Sequence, residues 1–289
     1  MLQLIVSDMD GTLLNEVMSI SQSNVEAIRA AEKQGASFMV ATGRGYTEAK
    51  PLLEKAGLSC PLISLNGGQI FNEEGEVVKN IGLTKDSVRS MVNIIEEAGL
   101  YYEMTTSKGI FSNNKAKRIE TVASLLVELN PDTSYKMAVI LASARLEVMN
   151  IHYIDDYSEL IEDDTIEIIK VIVFSEGGQP VLQPLAKQIN KTGELAITSS
   201  FENNIEINHI NAQKGIAVKE FAKDLNIPLE NIMTIGDNNN DLSMLEVAGY
   251  SFAMGNGTVE AKAAAKYTTS TNNENGVGEA IMRVLNNNL

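Results

Sequence analysis

The apolar run Leu4-Ile5-Val6-Ser7 leads straight into Asp8-Met9-Asp10-Gly11-Thr12, two carboxylates one residue apart where an expected strand ends. In extended backbone alternate side chains share a face, so Asp8 and Asp10 point the same way, and Gly11 and Thr12 begin the turn. Such a pair can do phosphoryl chemistry: one carboxylate attacks phosphorus while the other manages the proton of the leaving group. Asp and Gly are also ordinary turn residues. The four fixed positions of Asp-x-Asp-Gly-Thr, however, arise by chance in roughly a few chains per thousand of this length.

Two more expected strands end in polar residues. Phe38-Met39-Val40-Ala41 runs into Thr42-Gly43-Arg44, and Ile232-Met233-Thr234-Ile235 runs into Gly236-Asp237-Asn238-Asn239-Asn240-Asp241. In an open parallel sheet, ligands bind at the carboxyl ends of the strands, so these segments converge on one phosphate and metal pocket. Thr42 supplies a hydroxyl donor, and Gly43 lets backbone N–H groups approach an anion. A carboxylate at Asp237 facing Asp8 completes an oxygen set suited to Mg²⁺, and one of Asp237 and Asp241 has the alternative of simply capping the next helix. Lys214 opens a helix, where the backbone dipole disfavours a cation, which points to an anion between it and the helix end; the alternative is a solvated surface lysine. His152 and His209 lack a supporting motif, and two histidines are too few for a His-rich zinc site.

The elements that must position these residues alternate strand and helix. Leu2 to Ser7, Ser37 to Ala41 and Pro61 to Leu65 read as buried strands. Ser23 to Gln34 and Thr47 to Ala56 read as helices, with Ser23 and Gly35 as caps. Gln69 to Phe71 and Val77 to Asn80 read as a hairpin. From Thr84 to His209 the pattern mixes helices with strands, among them Leu195 to Ser200, and the α/β texture resumes at Lys214. The run Met137 to Ala144 is strand- or short-helix-sized. The fold class expected is α/β, a Rossmann-like doubly wound parallel sheet made of residues 1–83 and 210–289, with an α+β cap domain inserted over residues 84–209.

Composition bounds the function. With 289 residues and 44% hydrophobic content the chain can fill two cores, and its net charge of -15 disfavours a nucleic-acid partner. No apolar run reaches the roughly 18 residues that span a bilayer, which argues for a soluble chain with no membrane partner. One cysteine, Cys60, forms no internal disulfide, and the start lacks the basic region of a signal peptide, so a cytoplasmic protein is expected. Neither a Gly-x-x-x-x-Gly-Lys loop nor a Gly-x-Ser-x-Gly elbow occurs, which disfavours a Walker-type NTPase and a serine hydrolase.

In order, Asp8-Met9-Asp10-Gly11-Thr12, Thr42-Gly43-Arg44, Lys214 and Gly236-Asp237-Asn238-Asn239-Asn240-Asp241 resemble the four signature motifs of haloacid dehalogenase (HAD) superfamily phosphatases. The α+β insertion between the second and third motifs is similar to that of the Cof-type subfamily, as are Leu242-Ser243-Met244-Leu245 and Ala253-Met254-Gly255-Asn256-Gly257. The resemblance implies that Asp8 is the nucleophile that becomes an aspartyl phosphate and that Asp10 is the general acid/base. It further implies Mg²⁺ held by the Asp8 carboxylate, the Asp10 main-chain carbonyl and Asp237. Thr42, Gly43 and Lys214 would hold the phosphoryl oxygens with the Met9 backbone and Asn240. Asp241 would support Lys214 or the water shell of the metal, and Asn66 matches an Asn-Gly element facing the pocket. Arg44 is either substrate-facing or structural.

The implied activity is Mg²⁺-dependent hydrolysis of small phosphomonoesters such as sugar phosphates, nucleoside monophosphates or phosphorylated cofactors, with no protein partner. Three alternatives share parts of the pattern. A phosphorylation-switched receiver domain is nearer 120 residues as a rough norm and needs no large insertion. A phosphosugar sensor would keep the pocket without needing the Asp8 and Asp10 pair. A phosphotransferase differs only in what accepts the phosphoryl group.

Overall fold

The strand β1 (Leu4–Ser7) is buried along its whole length. Its neighbours cover both faces, so Leu4, Ile5 and Val6 leave water completely, each worth about 1.5–3 kcal/mol. That two-sided burial is why β1 reads as a continuous apolar run instead of an alternating one. A computed structural model describes residues 2–130, 132–148, 151–199 and 201–289. After β1 come α1 (Gln22–Lys33), β2 (Ser37–Ala41), α2 (Tyr46–Lys55), β3 (Leu62–Ser64), β4 (Gln69–Phe71) and β5 (Val77–Asn80). The middle of the chain forms α3 (Lys85–Glu97), β6 (Tyr101–Thr106), β7 (Gly109–Ser112), α4 (Lys115–Leu129), α5 (Tyr135–Val148), β8 (Ile151–Tyr153), α6 (Tyr157–Glu162), β9 (Ile168–Phe174), α7 (Gln179–Ile189), β10 (Leu195–Thr198) and β11 (Asn204–His209). The remainder forms α8 (Lys214–Asp224), β12 (Ile232–Gly236), α9 (Leu242–Val247), β13 (Tyr250–Ala253), α10 (Val259–Ala264), β14 (Tyr267–Thr268) and α11 (Gly276–Leu285).

Two compact units result, one of residues 1–81 with 211–289 and the other of residues 82–210. The first holds an eight-stranded sheet in the order β14-β13-β12-β1-β2-β3-β4-β5, parallel except where β4 and β5 turn back. Ser7 of β1 sits opposite Ile235 of β12 and Val40 of β2, so the three strands end level with one another. Side-chain alternation sorts the strand residues between two cores. Ile5, Val40 and Ile235 pack with Val25 and Ile28 of α1 and Val277 and Ile281 of α11, whereas Leu4, Val6 and Met39 pack with Ala217 and Val218 of α8 and Met244 of α9. Helices on both faces make this the doubly wound α/β arrangement.

The second unit is a six-stranded sheet in the order β10-β11-β9-β6-β7-β8, antiparallel except for the β7–β8 pair. One face, with Tyr102, Met104, Val171, Val173, Ile205 and Ile207, packs on α3, α6 and α7. It is an α+β unit. No helix among the described residues is long and apolar enough to cross a membrane.

Some local readings differ from the structure. Ser21, not Ser23, caps α1, its side chain accepting from the Asn24 N–H, while Gly35 follows the helix end with a left-handed φ of 89°. The strand expected over Leu195 to Ser200 ends at Thr198, and Ser200 lies outside the described residues. The Met137 to Ala144 run is part of the long helix α5. Its buried side, Ala138 and Ala142, packs on Val122 and Ala123 of α4, and Met137, Ile140 and Leu141 are exposed, so apolar residues on both sides hide the helical period.

Candidate active site

Three adjacent strands, β12, β1 and β2, deliver their last residues to one place. The first residue past β1 is Asp8, which is buried and whose N–H donates to the Ile235 carbonyl at 2.9 Å. The β12 terminus gives Asp237, and the end of β2 gives Thr42, fully buried, with its N–H donating to Ile63. Oxygens of Asp8, Asp237 and Asp241 lie within 4.8 Å of one another.

Lys214 opens α8 and is fully buried, so it is not a solvated surface lysine. Its Nζ donates to Asp8 Oδ1 and to Asp241 Oδ1, both at 2.6 Å. Burial works against the ammonium, yet Asp241 and Asp8 together outweigh it and hold the Lys214 pKa above its ordinary value. Asp241 is the carboxylate that also caps: its Oδ2 accepts from the N–H groups of Asp237 and Asn238 at 2.9 and 3.0 Å. Both of its oxygens are therefore committed, one to Lys214 and one to the turn that aims Asp237.

Asp237 is fixed from the other side. Thr12 donates from Oγ1 to Asp237 Oδ1 at 2.7 Å, and Thr258 N–H donates to the Asp237 carbonyl at 2.8 Å. Gly11 permits this approach: at φ 76° it takes a left-handed conformation, and a Cβ there would stand 2.5 Å from Asp237 Oδ2. Burial, then Asp241, pushes the Asp8 carboxyl well above the usual range despite Lys214, and burial raises Asp237 as well. Among the described residues, two buried carboxylates and a half-buried third crowd around one ammonium and are short of positive charge. The donor set is all oxygen, which suits a hard divalent cation, and Asp8 and Asp237 could hold one.

Strand alternation predicts that Asp10 joins this cluster, but it does not: β1 ends at Ser7, so the alternation stops before Asp8, and the Asp10 carboxylate pairs with Arg44 instead. Arg44 donates to both of its oxygens, Nε to Oδ2 at 2.7 Å and Nη2 to Oδ1 at 2.6 Å, with the Asp10 side chain 48% exposed. Arg44 thus faces the acid/base candidate, and the hydrogen bond to Asp10 is the largest influence raising the Arg44 pKa. Thr42 Oγ1 accepts from the Arg44 N–H at 3.1 Å, leaving its own O–H to donate. The Met9 side chain belongs to the core, so only its backbone could serve the site. Asn240 is exposed, and its Nδ2 donates to Asn66 Oδ1 at 3.0 Å. His152 stacks on Phe111 in the second unit, a packing role.

Sequence reasoning read Thr12 only as the start of a turn, whereas the structure makes it the clamp on Asp237. It named Asn256 within the Ala253 to Gly257 resemblance but gave it no role; its Nδ2 donates to the Gly11 carbonyl at 2.8 Å and holds the turn carrying Asp10 and Thr12. That contact spans 245 residues of sequence and has no local signal.

The fold and this constellation define a hydrolase class. Residues 5–281 match the model of the haloacid dehalogenase-like hydrolases, and the chain belongs to that family. It is similar to phosphatase YwpJ of Bacillus subtilis, with 32% identity over 286 residues covering 98% of this chain and 100% of YwpJ. It is also similar to the 5-amino-6-(5-phospho-D-ribitylamino)uracil phosphatase YwtE of the same organism, 31% identical with 97% of each chain covered. Among solved structures, a haloacid dehalogenase-like hydrolase from B. subtilis superposes with a TM-score of 0.82 at 32% identity, covering 98% of this chain and 100% of the other.

Proposed function

We propose that this protein is a cytoplasmic, Mg²⁺-dependent phosphatase that hydrolyses small phosphomonoesters through an aspartyl phosphate on Asp8. The observation that carries the reading is the buried Asp8–Lys214–Asp241 chain, with Asp237 beside it, at the level ends of three parallel strands. A nucleophile needs to be fixed in line with phosphorus, and Asp8 is held by its N–H, by Lys214 and by the close packing around it.

In the first step an Asp8 oxygen forms a bond to phosphorus as the ester oxygen leaves, taking a proton from Asp10. In the second, Asp10 takes a proton from water as the water oxygen attacks the same phosphorus, which returns Asp8 as a carboxylate and releases orthophosphate. Arg44 donates once to each Asp10 oxygen and leaves a lone pair free on each, so its hold must loosen only where Asp10 carries the proton of the first step. Charge on the phosphoryl oxygens is met by the Lys214 ammonium, the Thr42 hydroxyl, Asn240 and the N–H groups of Met9 and Gly43. Asp8, the Asp10 carbonyl and Asp237 would hold the Mg²⁺, which supplies further positive charge to the phosphoryl oxygens when bound.

Selection among leaving groups is assigned to the inserted unit, residues 82–210. Relatives named for a phosphoribityl substrate support sugar and polyol phosphates as the first compounds to try, with nucleoside monophosphates and phosphorylated cofactors next. The test is phosphate release from a panel of such esters, with Mg²⁺ and with EDTA, for wild type and Asp8→Asn. Metal-dependent release lost in the variant is expected. Release by Asp8→Asn at the wild-type rate would end the mechanism, and no release from any compound would end the phosphatase reading.

A further inference from the structure

Between β3 and β4 the backbone takes a conformation that its residues do not favour. Leu65 and Asn66 are consecutive non-glycine residues with left-handed φ of 50° and 59°, and Leu65 is a bulky, buried side chain. Such backbone persists only where its surroundings over-determine it, and it clusters at functional sites.

The surroundings here are the pieces of the anion site. The Leu65 N–H donates to the Arg44 carbonyl and the Asn66 N–H to the Thr42 carbonyl, both at 3.0 Å, so the turn is zipped to the Thr42-Gly43-Arg44 loop. Next to it, Gly67 lies so close to the Gln213 backbone that a Cβ would stand 2.7 Å from the Gln213 carbonyl oxygen, directly before Lys214. The Asn66 side chain reaches the third piece: its Oδ1 accepts from Asn240 and lies 3.2 Å from where a Cβ on Gly43 would be. One short turn therefore touches the segments bearing Thr42, Lys214 and Asn240.

We propose that Leu65-Asn66-Gly67 is a positioning device of the phosphate site, and that Asn66 holds Asn240 against the Thr42-Gly43 loop so that both donate to one anion. The strained backbone points the Asn66 amide at Asn240; a right-handed residue there would turn it away. With its Oδ1 engaged by Asn240, Asn66 acts through that residue and is not itself a catalytic group. The proposal rests on the phosphatase reading for its kinetic consequence but not for its anion-binding consequence.

Asn66→Gly is the informative substitution, because glycine adopts φ 59° freely and keeps the turn while removing the amide. Orthophosphate binding by calorimetry and steady-state phosphate release are measured for wild type, Asn66→Gly, Asn240→Ala and the double variant, after thermal melts show each to be folded. The expected result is an unchanged melting temperature for Asn66→Gly with orthophosphate affinity about tenfold weaker, the loss of one well-aimed donor. KM rises by a similar factor with kcat little changed, as when ground state and transition state lose the same contact. Asn240→Ala should match it, and the double variant should be no worse than either single one. Wild-type affinity in Asn66→Gly, or additive losses in the double variant, would overturn the proposal. If wild type releases no phosphate from any ester but Asn66→Gly still weakens orthophosphate binding, the phosphatase reading fails while the positioning role stands.

Discussion

Lys214→Met removes the ammonium at the centre of the site while keeping an unbranched side chain of similar length. In wild type that ammonium is fully buried and lies 2.6 Å from an oxygen of each of Asp8 and Asp241, themselves buried. Breaking a buried pair strands the remaining charge and costs about 3–5 kcal/mol. In a unit of this size that corresponds to a fall in melting temperature of about 6–20 °C. The sign of the pH dependence follows from Asp8. Its folded pKa is raised by burial and by Asp241, with Lys214 opposing, so its contribution is most favourable below the unfolded value of 3.8 and is lost as pH rises toward the folded pKa. Removing Lys214 raises that folded pKa further. The destabilisation of the variant relative to wild type should therefore be smaller at pH 5 than at pH 8, measured by thermal melts across that range. Asp241→Asn added to Lys214→Met removes one stranded carboxylate and should recover part of the stability at pH 8. Activity should stay about 10²–10³-fold below wild type in both, the cost of losing one charge-stabilising donor. A Lys214→Met protein as stable as wild type at pH 8, or no recovery on adding Asp241→Asn, would refute the electrostatic reasoning.

Divalent cation should raise the melting temperature, because it relieves the crowding of Asp8 and Asp237; at a hundredfold excess over Kd the gain is about 2.7 kcal/mol. Melts with Mg²⁺ and with EDTA should show that shift abolished in Asp237→Asn and reduced in Gly11→Ala, whose new Cβ would strike Asp237 Oδ2 without removing any ligand. Asp10→Asn should slow turnover yet keep the Mg²⁺ shift, since its carbonyl is the proposed ligand; loss of the shift would make the side chain a ligand. Burial, with Glu73 and Glu32 adding to it, pushes the Cys60 thiol from 9.0 up to about 12, so the thiolate fraction near pH 8 falls by about three powers of ten. Alkylation of native protein should be much slower than that of denatured protein, and equal rates would contradict a raised thiol pKa in the half-buried Cys60.

The doubly wound core was readable because its strands are covered on both faces and so write themselves as apolar runs, each followed by its polar turn. The Asp8 to Thr12, Thr42 to Arg44 and Asp237 to Asp241 segments were legible for the same reason: each is short, local and placed at a strand end. Lys214 was found through a local conflict, a cation at a helix start, and the structure resolves it with Asp8 and Asp241. What escaped is what distance in sequence hides. The Arg44–Asp10 pair spans 34 residues, Thr12–Asp237 spans 225 and Asn240–Asn66 spans 174, and no local pattern encodes any of them. The helix α5 escaped for a different reason, since its apolar residues lie on its exposed and buried sides alike and give no period.

The most direct measurement is mass spectrometry of the Asp8-bearing peptide after rapid acid quench of the Asp10→Asn variant, mixed with Mg²⁺ and an aryl phosphate, whose leaving group departs without the proton that Asp10 supplies. With its second step slowed, the variant should carry one phosphoryl group on Asp8 and none after chase without ester. An Asp8 peptide that stays unmodified throughout turnover, or turnover that survives Asp8→Asn, would contradict a covalent mechanism at this site.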